Sequence, residues 1–257
     1  MSPVRLFWIL AGLLILTYFG FNTVSPEIRK SLGIRKENLE VTGLENLIKE
    51  SKEQLNEVQK AELQILEENH KANAGDSVNR VNWRTLSAFW TRVGDYAIAG
   101  AYLKNVAELE KSAASWAMAG LIFLKSLEIE NSQKSKLYSQ QMVLQCMDQA
   151  LSLNPVAEPE YEMVKALAFV KFPQQEPMKG VRMLLDLEKR HPEFMPLQME
   201  LARLAIQTGQ FEKAEARLMK VLANDSQMEE ANCLMVKLLE KLERTEEIKK
   251  YIIHCKF

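Results

Sequence analysis

Residues 195–228 read MPLQMELARLAIQTGQFEKAEARLMKVLANDSQM, and the pattern of this stretch indicates the fold class of the chain. Small and apolar residues recur where two packed helices need them, with Leu201 and Ala202 at positions 7 and 8 and Ala214 and Leu218 at positions 20 and 24. Gly209, at position 15, supplies a turn between the two helical patterns. The pattern predicts a helix–turn–helix unit of 34 residues, which needs neighbouring units to bury its apolar face.

The same register extends over residues 80–257, in four further stretches that begin at Arg80, Ala113, Glu158 and Glu229. The stretch from Ala113 is about 11 residues too long, with the excess around residues 127–138. We expect there either an extended first helix or a projecting turn, and the latter leaves open a tolerated loop or a part of a binding surface. In the stretch from Glu158, Pro177 is expected to open the second helix.

Residues 80–257 resemble a tetratricopeptide repeat array, because the stretches from Arg80 and Met195 carry the pattern of that family. The resemblance implies an all-α fold, a right-handed α-solenoid of about five helix pairs. It also implies that the array binds another protein. The whole layout resembles single-pass, membrane-anchored tetratricopeptide repeat proteins of bacteria, such as those of the Bacteroidetes.

The N-terminus carries an uncharged apolar run, LFWILAGLLILTYFGF, over residues 6–21. Extended to Val24 as a helix it spans about 28 Å, enough for the hydrocarbon core of a bilayer. We therefore predict a transmembrane anchor over residues 1–25, with a cleaved signal peptide as the alternative. Basic residues on both sides of the run leave the membrane orientation open, between a cytoplasmic and a periplasmic C-terminal part.

A juxtamembrane linker over residues 26–36 and a helical stalk over residues 37–70 are expected between the anchor and the repeats. In the stalk, a seam of apolar residues recurs about every three or four positions, as in a weak coiled coil or a single solvated helix. That seam consists of Val41, Leu44, Ile48, Leu55, Val58 and Ile65. A polar hinge over residues 71–79 is predicted to separate the stalk from the array.

Composition and motifs argue against chemistry and against nucleic acid. The chain has 33 basic and 34 acidic residues, so its charge attracts no polyanion. It carries no phosphate-binding glycine loop and no metalloprotease or nucleophile-elbow motif. The three cysteines are expected as buried or half-buried free thiols on helices. We therefore expect no enzyme activity, no cofactor and no metal.

The resemblance implies that the first helix of each pair lines a concave groove, through positions 2, 5, 9 and 12 of each repeat. The residues that we predict to contact a protein partner are Leu121, Leu124, Glu162, Phe169, Met199, Arg203, Ile206 and Lys237. The same register adds Val81, Thr85, Ala88, Ala117, Ala166, Cys233 and Glu240. The occupant is expected to be an amphipathic helix or extended peptide, with an acidic group near Arg203, and the chain's own segments or a second copy are alternatives.

Two functions follow from this organisation. The first is a membrane-anchored scaffold or adaptor of a bacterial envelope complex, which binds a protein partner through the groove. The second is a structural subunit that oligomerises through its stalk and binds no peptide.

Overall fold

The computed structural model describes residues 43–72 and 75–255. This part of the chain is all-α, as predicted: it contains α-helices and a short 3-10 turn, and no strand. The chain divides into two compact units after Leu55. The predicted anchor and linker, residues 1–36, lie outside the described residues.

The described part of the first unit is one helix, α1, over Leu44–Gln54. It ends at Leu55, which has extended backbone angles. The second unit begins with α2, over Glu57–Ala72. The Gln59 N–H donates to the Asn56 side chain at 2.9 Å, and the Asn56 N–H donates back to the Gln59 side chain at 3.0 Å. This capping box starts a new helix, so the described part of the predicted helical stalk, residues 43–70, is divided between two helices.

The packed face of α2 differs from the predicted seam. Leu63 is buried, whereas the seam residues Val58 and Ile65 are 78% and 59% exposed. Helix α2 packs against α3, which spans Asp76–Val93, and an Arg92–Glu62 ion pair joins the two. Helix α2 belongs to the second unit, which begins at Asn56.

Nine further helices follow, and each packs against its neighbours in chain order. Within residues 95–255 they are α4 (Tyr96–Glu110), α5 (Ala113–Ile129), α6 (Gln133–Leu153), α7 (Glu158–Lys171), α8 (Lys179–Arg190), α9 (Met195–Gln207), α10 (Phe211–Asn224), α11 (Glu229–Lys241) and α12 (Thr245–Ile252). Helices two apart also touch, as α5 does with α7 and α9 with α11.

Three of the turns share one backbone geometry. Gly94, Gly209 and Glu243 have positive φ angles of 102°, 72° and 58°, and each occupies position 15 of its predicted repeat. The N–H of the following residue bonds the carbonyl five residues earlier, as from Asp95 to Trp90. This is the Schellman pattern, which satisfies carbonyls at the end of a helix.

Small residues lie where helices approach closely. Ala99, Ala119, Ala202 and Ala214 are fully buried. A Cβ added to Gly180 would lie 2.5 Å from the Val170 backbone N, so α7 and α8 meet almost backbone to backbone there. Leucine, phenylalanine and tryptophan fill the remaining space.

The excess length around residues 127–138 is absorbed by the helices themselves. Helices α5 and α6 contain 17 and 21 residues, and only three residues separate them. The hydroxyls of Ser126 and Ser139 form a buried hydrogen bond of 2.7 Å that pairs the two added turns. The excess therefore lengthens both helices of the pair and the second one most, so the prediction of an extended first helix is correct only in part, and the alternative of a projecting turn is wrong.

The turn between α7 and α8, residues 172–178, differs from the prediction at Pro177. Helix α8 begins two residues later, at Lys179, so Pro177 belongs to the turn. The Gln140 side chain holds this turn, because its amide donates to the carbonyls of Ala168 at 2.9 Å and Phe172 at 2.6 Å.

None of the helices in residues 43–72 and 75–255 has both the length and the apolar character required to cross a bilayer.

Candidate binding groove

The first helices of the last three pairs border two adjoining clefts. One cleft, of about 540 Å³, lies between α9 and α11. The other, of about 580 Å³, lies between α7 and α9 and reaches the end of α5. Both clefts are lined by Arg203, Gln207 and Glu230, so they form one continuous groove. We call this surface the α7–α9–α11 groove.

Both apolar and charged side chains line this groove. Leu167, Val170, Leu204, Ile206 and Leu234 contribute its apolar part. The charged residues are Glu128, Lys171, Glu200, Arg203, Glu230, Lys237, Glu240 and Lys241. Four of these carry a positive charge and four a negative one, so the groove has no net preference for an acidic or a basic surface.

Three of the eight predicted partner-binding residues meet in the cleft between α9 and α11. Arg203 and Ile206 come from α9, and Lys237 comes from α11. Cys233 and Glu240, which the same repeat register singled out, line this cleft as well. Positions 9 and 12 of one repeat therefore face positions 5, 9 and 12 of the next.

Two predicted residues are buried inside the helix packing instead of lining a surface. Leu124 is 8% exposed and Met199 is 2% exposed. Met199 belongs to the apolar core shared by α9, α10 and α11, where it packs with Ala231 and Met235. A partner cannot touch these side chains while the helices remain packed, so their assignment to the binding surface is wrong.

The other three predicted residues lie outside the groove. Leu121 is 50% exposed on α5. Phe169 is half-buried beneath the Lys179 ammonium, which lies 4.1 Å from the centre of its ring. Glu162 accepts a hydrogen bond from Lys165 at 2.9 Å, and Lys165 also bonds Asp148 of α6.

Residues added by the repeat register are scattered. Val81, Thr85 and Ala88 are exposed along α3, Ala117 is half-buried on α5 and Ala166 is buried on α7. The predicted residues from α9 and α11 thus line the groove, apart from Met199, whereas those from α3, α5 and α7 do not.

Arg203 has a different role from the predicted one. Its guanidinium forms ion pairs with Glu200 on its own helix and with Glu230 at the start of α11. The residue thus ties α9 to α11, and two carboxylates of the chain itself already surround it. An acidic group of a partner would have to displace them.

Lys237 is the better candidate for an acidic partner group. It is exposed on α11, and no carboxylate of the described residues forms an ion pair with it.

A second set of ion pairs lies at the other end of the groove, where Lys125 and Lys171 both donate to Glu128. Burial raises the pKa of Glu128, but these hydrogen bonds and charges outweigh it, so the pKa lies below the ordinary carboxyl value.

Several groove residues were missed by the sequence reading. Glu230 occupies position 2 of the last repeat, which the concave-face rule includes, so a signal for it existed. Glu128 and Lys171 lie at the ends of their helices, beyond the last of the four positions. Only the packing of α5 against α7 brings them into the groove.

The cysteines depart from the expectation of three free thiols. Cys233 and Cys255 form a disulfide, with their Cα atoms 4.9 Å apart. Cys233 lies near the start of α11 and Cys255 just beyond the end of α12, and α12 folds back onto α11. This return brings together two residues 22 apart in the chain. Cys146 remains a buried thiol, as expected.

Within residues 43–72 and 75–255, histidine, cysteine and acidic side chains form no cluster of three that could hold a metal ion. Comparison with protein-family models and with curated proteins returns no match for this chain.

Proposed function

We propose that this chain is a membrane-anchored tetratricopeptide repeat protein that holds a partner protein in the α7–α9–α11 groove. In this proposal the pairs from α3–α4 to α11–α12 are five repeats of a right-handed α-solenoid. The shared turn geometry at position 15 and the small residues at the close helix contacts support it. The anchor over residues 6–24 rests on its apolar composition alone.

One observation carries the binding role: three consecutive first helices border a single groove that mixes apolar and charged side chains. Such a surface suits an amphipathic helix or an extended segment. Apolar side chains of the partner would contact Ile206 and Leu234, and an acidic side chain would meet Lys237. The partner's chemistry is thus a protein segment with apolar anchors and a carboxylate at one end.

One observation favours the alternative function, a structural subunit. Val58 and Ile65, seven residues apart on α2, are exposed on the same side of that helix. A second copy of the chain would cover them if the protein oligomerised through this helix. The scaffold reading is preferred, because Glu68 interrupts this apolar row after two residues.

Site-specific photocross-linking in native membranes tests the proposal. A photoreactive phenylalanine analogue replaces Gln207 in the groove, and a control replaces Leu185, which is exposed on α8 outside the groove. Adducts with a distinct protein are expected from position 207 and not from position 185. Equal adducts from both positions would contradict a groove site. Dimeric adducts from a probe at position 58, with none at 207, would favour the structural subunit.

A charge reversal sharpens the test. Lys237→Glu should weaken the adduct from position 207, because it repels the partner's carboxylate. Lys189→Glu makes the same change of charge on α8, away from the groove, and should leave the adduct unchanged. Arg203→Glu is a poor probe, since it also breaks the α9–α11 ion pair.

A further inference from the structure

The C-terminal helix is held to the rest of the protein by very little packing. Helix α12 has eight residues, and none of them is buried. Ile248 and Tyr251 contact the core of α9, α10 and α11 but are only partly buried. A helix of this length is marginal without tertiary support.

Two connections fix the ends of α12. At its start, Arg244 bonds Glu215 of α10 at 2.7 Å and Glu247 of α12 at 2.6 Å. Just beyond its other end, the disulfide joins Cys255 to Cys233 of α11. The ion pairs are partly exposed and contribute little. The disulfide therefore adds a covalent restraint to the partly buried contacts of Ile248 and Tyr251.

The pairing of the cysteines is unambiguous. Cys146 lies in the middle of α6, and burial raises its pKa to about 12. It remains a neutral thiol at physiological pH and is neither a nucleophile nor a competitor for disulfide exchange. Cys233 instead lines the groove and is half-buried, so it is the cysteine that an oxidant can approach, whereas Cys255 is buried.

We propose that residues 56–255 work in an oxidising compartment, where the Cys233–Cys255 disulfide clips α12 onto the array. Disulfides persist in such compartments, the bacterial periplasm among them, and are rare in the cytosol. This inference rests on the proposed membrane anchor, and with that anchor the clip places the repeats on the exported side of the membrane. It also makes α11, the last helix that borders the groove, sensitive to redox conditions, because Cys233 is one of its groove-lining residues.

The clip forms by two thiol–disulfide exchanges. The Cys233 or Cys255 thiolate attacks the disulfide of an oxidising dithiol protein, forms a mixed disulfide and expels one thiolate of the oxidant. The second cysteine thiolate then attacks the mixed disulfide and expels the other. Two protein thiols lose two electrons and two protons, and the oxidant's disulfide becomes a dithiol.

Thiol trapping of the full chain in cells tests the proposal. Cells are quenched in acid, free thiols are blocked with N-ethylmaleimide in denaturant, and disulfides are then reduced and labelled with a maleimide–polyethylene glycol. Wild type and Cys146→Ser should gain two labels each, whereas Cys233→Ser and Cys255→Ser should gain none. Wild type without labels would show that both cysteines are reduced in the cell and would overturn the proposal.

Hydrogen exchange measures the clip itself. Reduction of the purified protein should accelerate exchange of the α12 amides on the order of 100-fold, the factor expected for opening a loop of this length. Amides of α9 should be unaffected. Unchanged exchange in α12 would show that the disulfide does not hold the helix. Photocross-linking at position 207 is scored separately, so a failed clip and a failed groove are distinguishable.

Discussion

Replacing Gly180 with alanine should weaken the pairing of α7 and α8, because the two backbones meet at this residue. The added Cβ would lie 2.5 Å from the Val170 backbone N and 2.7 Å from the Ala166 carbonyl oxygen. Both neighbours are backbone atoms, so rotation of a side chain cannot relieve the contact. Helix α8 must move away from α7.

The required movement sets the magnitude of the effect. Ordinary contacts between carbon atoms are about 3.5 Å long, so the helices must separate by about 1 Å. That shift loosens Leu184 and Leu187, which are 0% and 1% exposed. Overpacking of this kind costs about 1–3 kcal/mol, and the better helix propensity of alanine returns up to ~1 kcal/mol. We expect a net loss of about 1–2 kcal/mol and a fall in Tm of roughly 2–8 °C.

Gly120→Ala is the matched control. The nearest atom to its added Cβ is the terminal methyl of Met147, and the next is the Cys146 Cβ at 3.2 Å. A methionine side chain rearranges readily, so the free energy of unfolding should change by less than about 1 kcal/mol. Urea unfolding of the purified full-length variants, followed by tryptophan fluorescence, measures both. Hydrogen exchange in α7 and α8 then locates the effect. If Gly180→Ala unfolds at the wild-type urea concentration, the inferred backbone contact does not exist.

Three further outcomes are expected, each measured by urea unfolding. Gln140→Ala should lower stability by about 1–3 kcal/mol, because the Phe172 carbonyl loses this donor, while the Ala168 carbonyl still accepts from the Phe172 N–H. Exchange should quicken in residues 172–178, and unchanged exchange there would refute this anchor. Burial raises the pKa of Glu130, so its stabilising contribution is complete below the ordinary carboxyl pKa and is lost as the pH rises through the raised value. Relative to Glu130→Gln, wild type should therefore lose stability as the pH rises above the ordinary carboxyl pKa of about 4, and parallel pH profiles would contradict that burial. Glu243→Gly should stabilise the protein by about 0.5–1 kcal/mol by relieving a left-handed backbone, and a loss would mean that the glutamate side chain has an interaction of its own.

Local features were readable from the sequence. Gly94 and Gly209 mark left-handed turns because glycine alone adopts that backbone without strain. The apolar spacing predicted the helix pairs from α3 onward, and Asn56 with Gln59 forms a capping box that marks the start of α2. Each of these depends on residues within a few positions of one another.

Predictions about surfaces did less well, because exposure depends on how helices from distant parts of the chain rotate against each other. Position 5 of a repeat was expected to face the groove, yet Met199 at that position packs into the core, while Cys233 lines the groove. Val58 and Ile65 belong to the predicted seam, but α2 packs against α3 through the face that carries Leu63.

The amino-acid order alone specified an all-α chain of paired helices with turns at regular intervals, since helix formation and turn geometry are local. Tertiary structure decided which charges neutralise one another and which cysteines pair. Arg203 met Glu230 only because α9 lies against α11, and Cys255 met Cys233 only because α12 folds back. Coulombic and covalent contacts act over a few ångströms, and only packing brings residues 20 to 30 positions apart within that range.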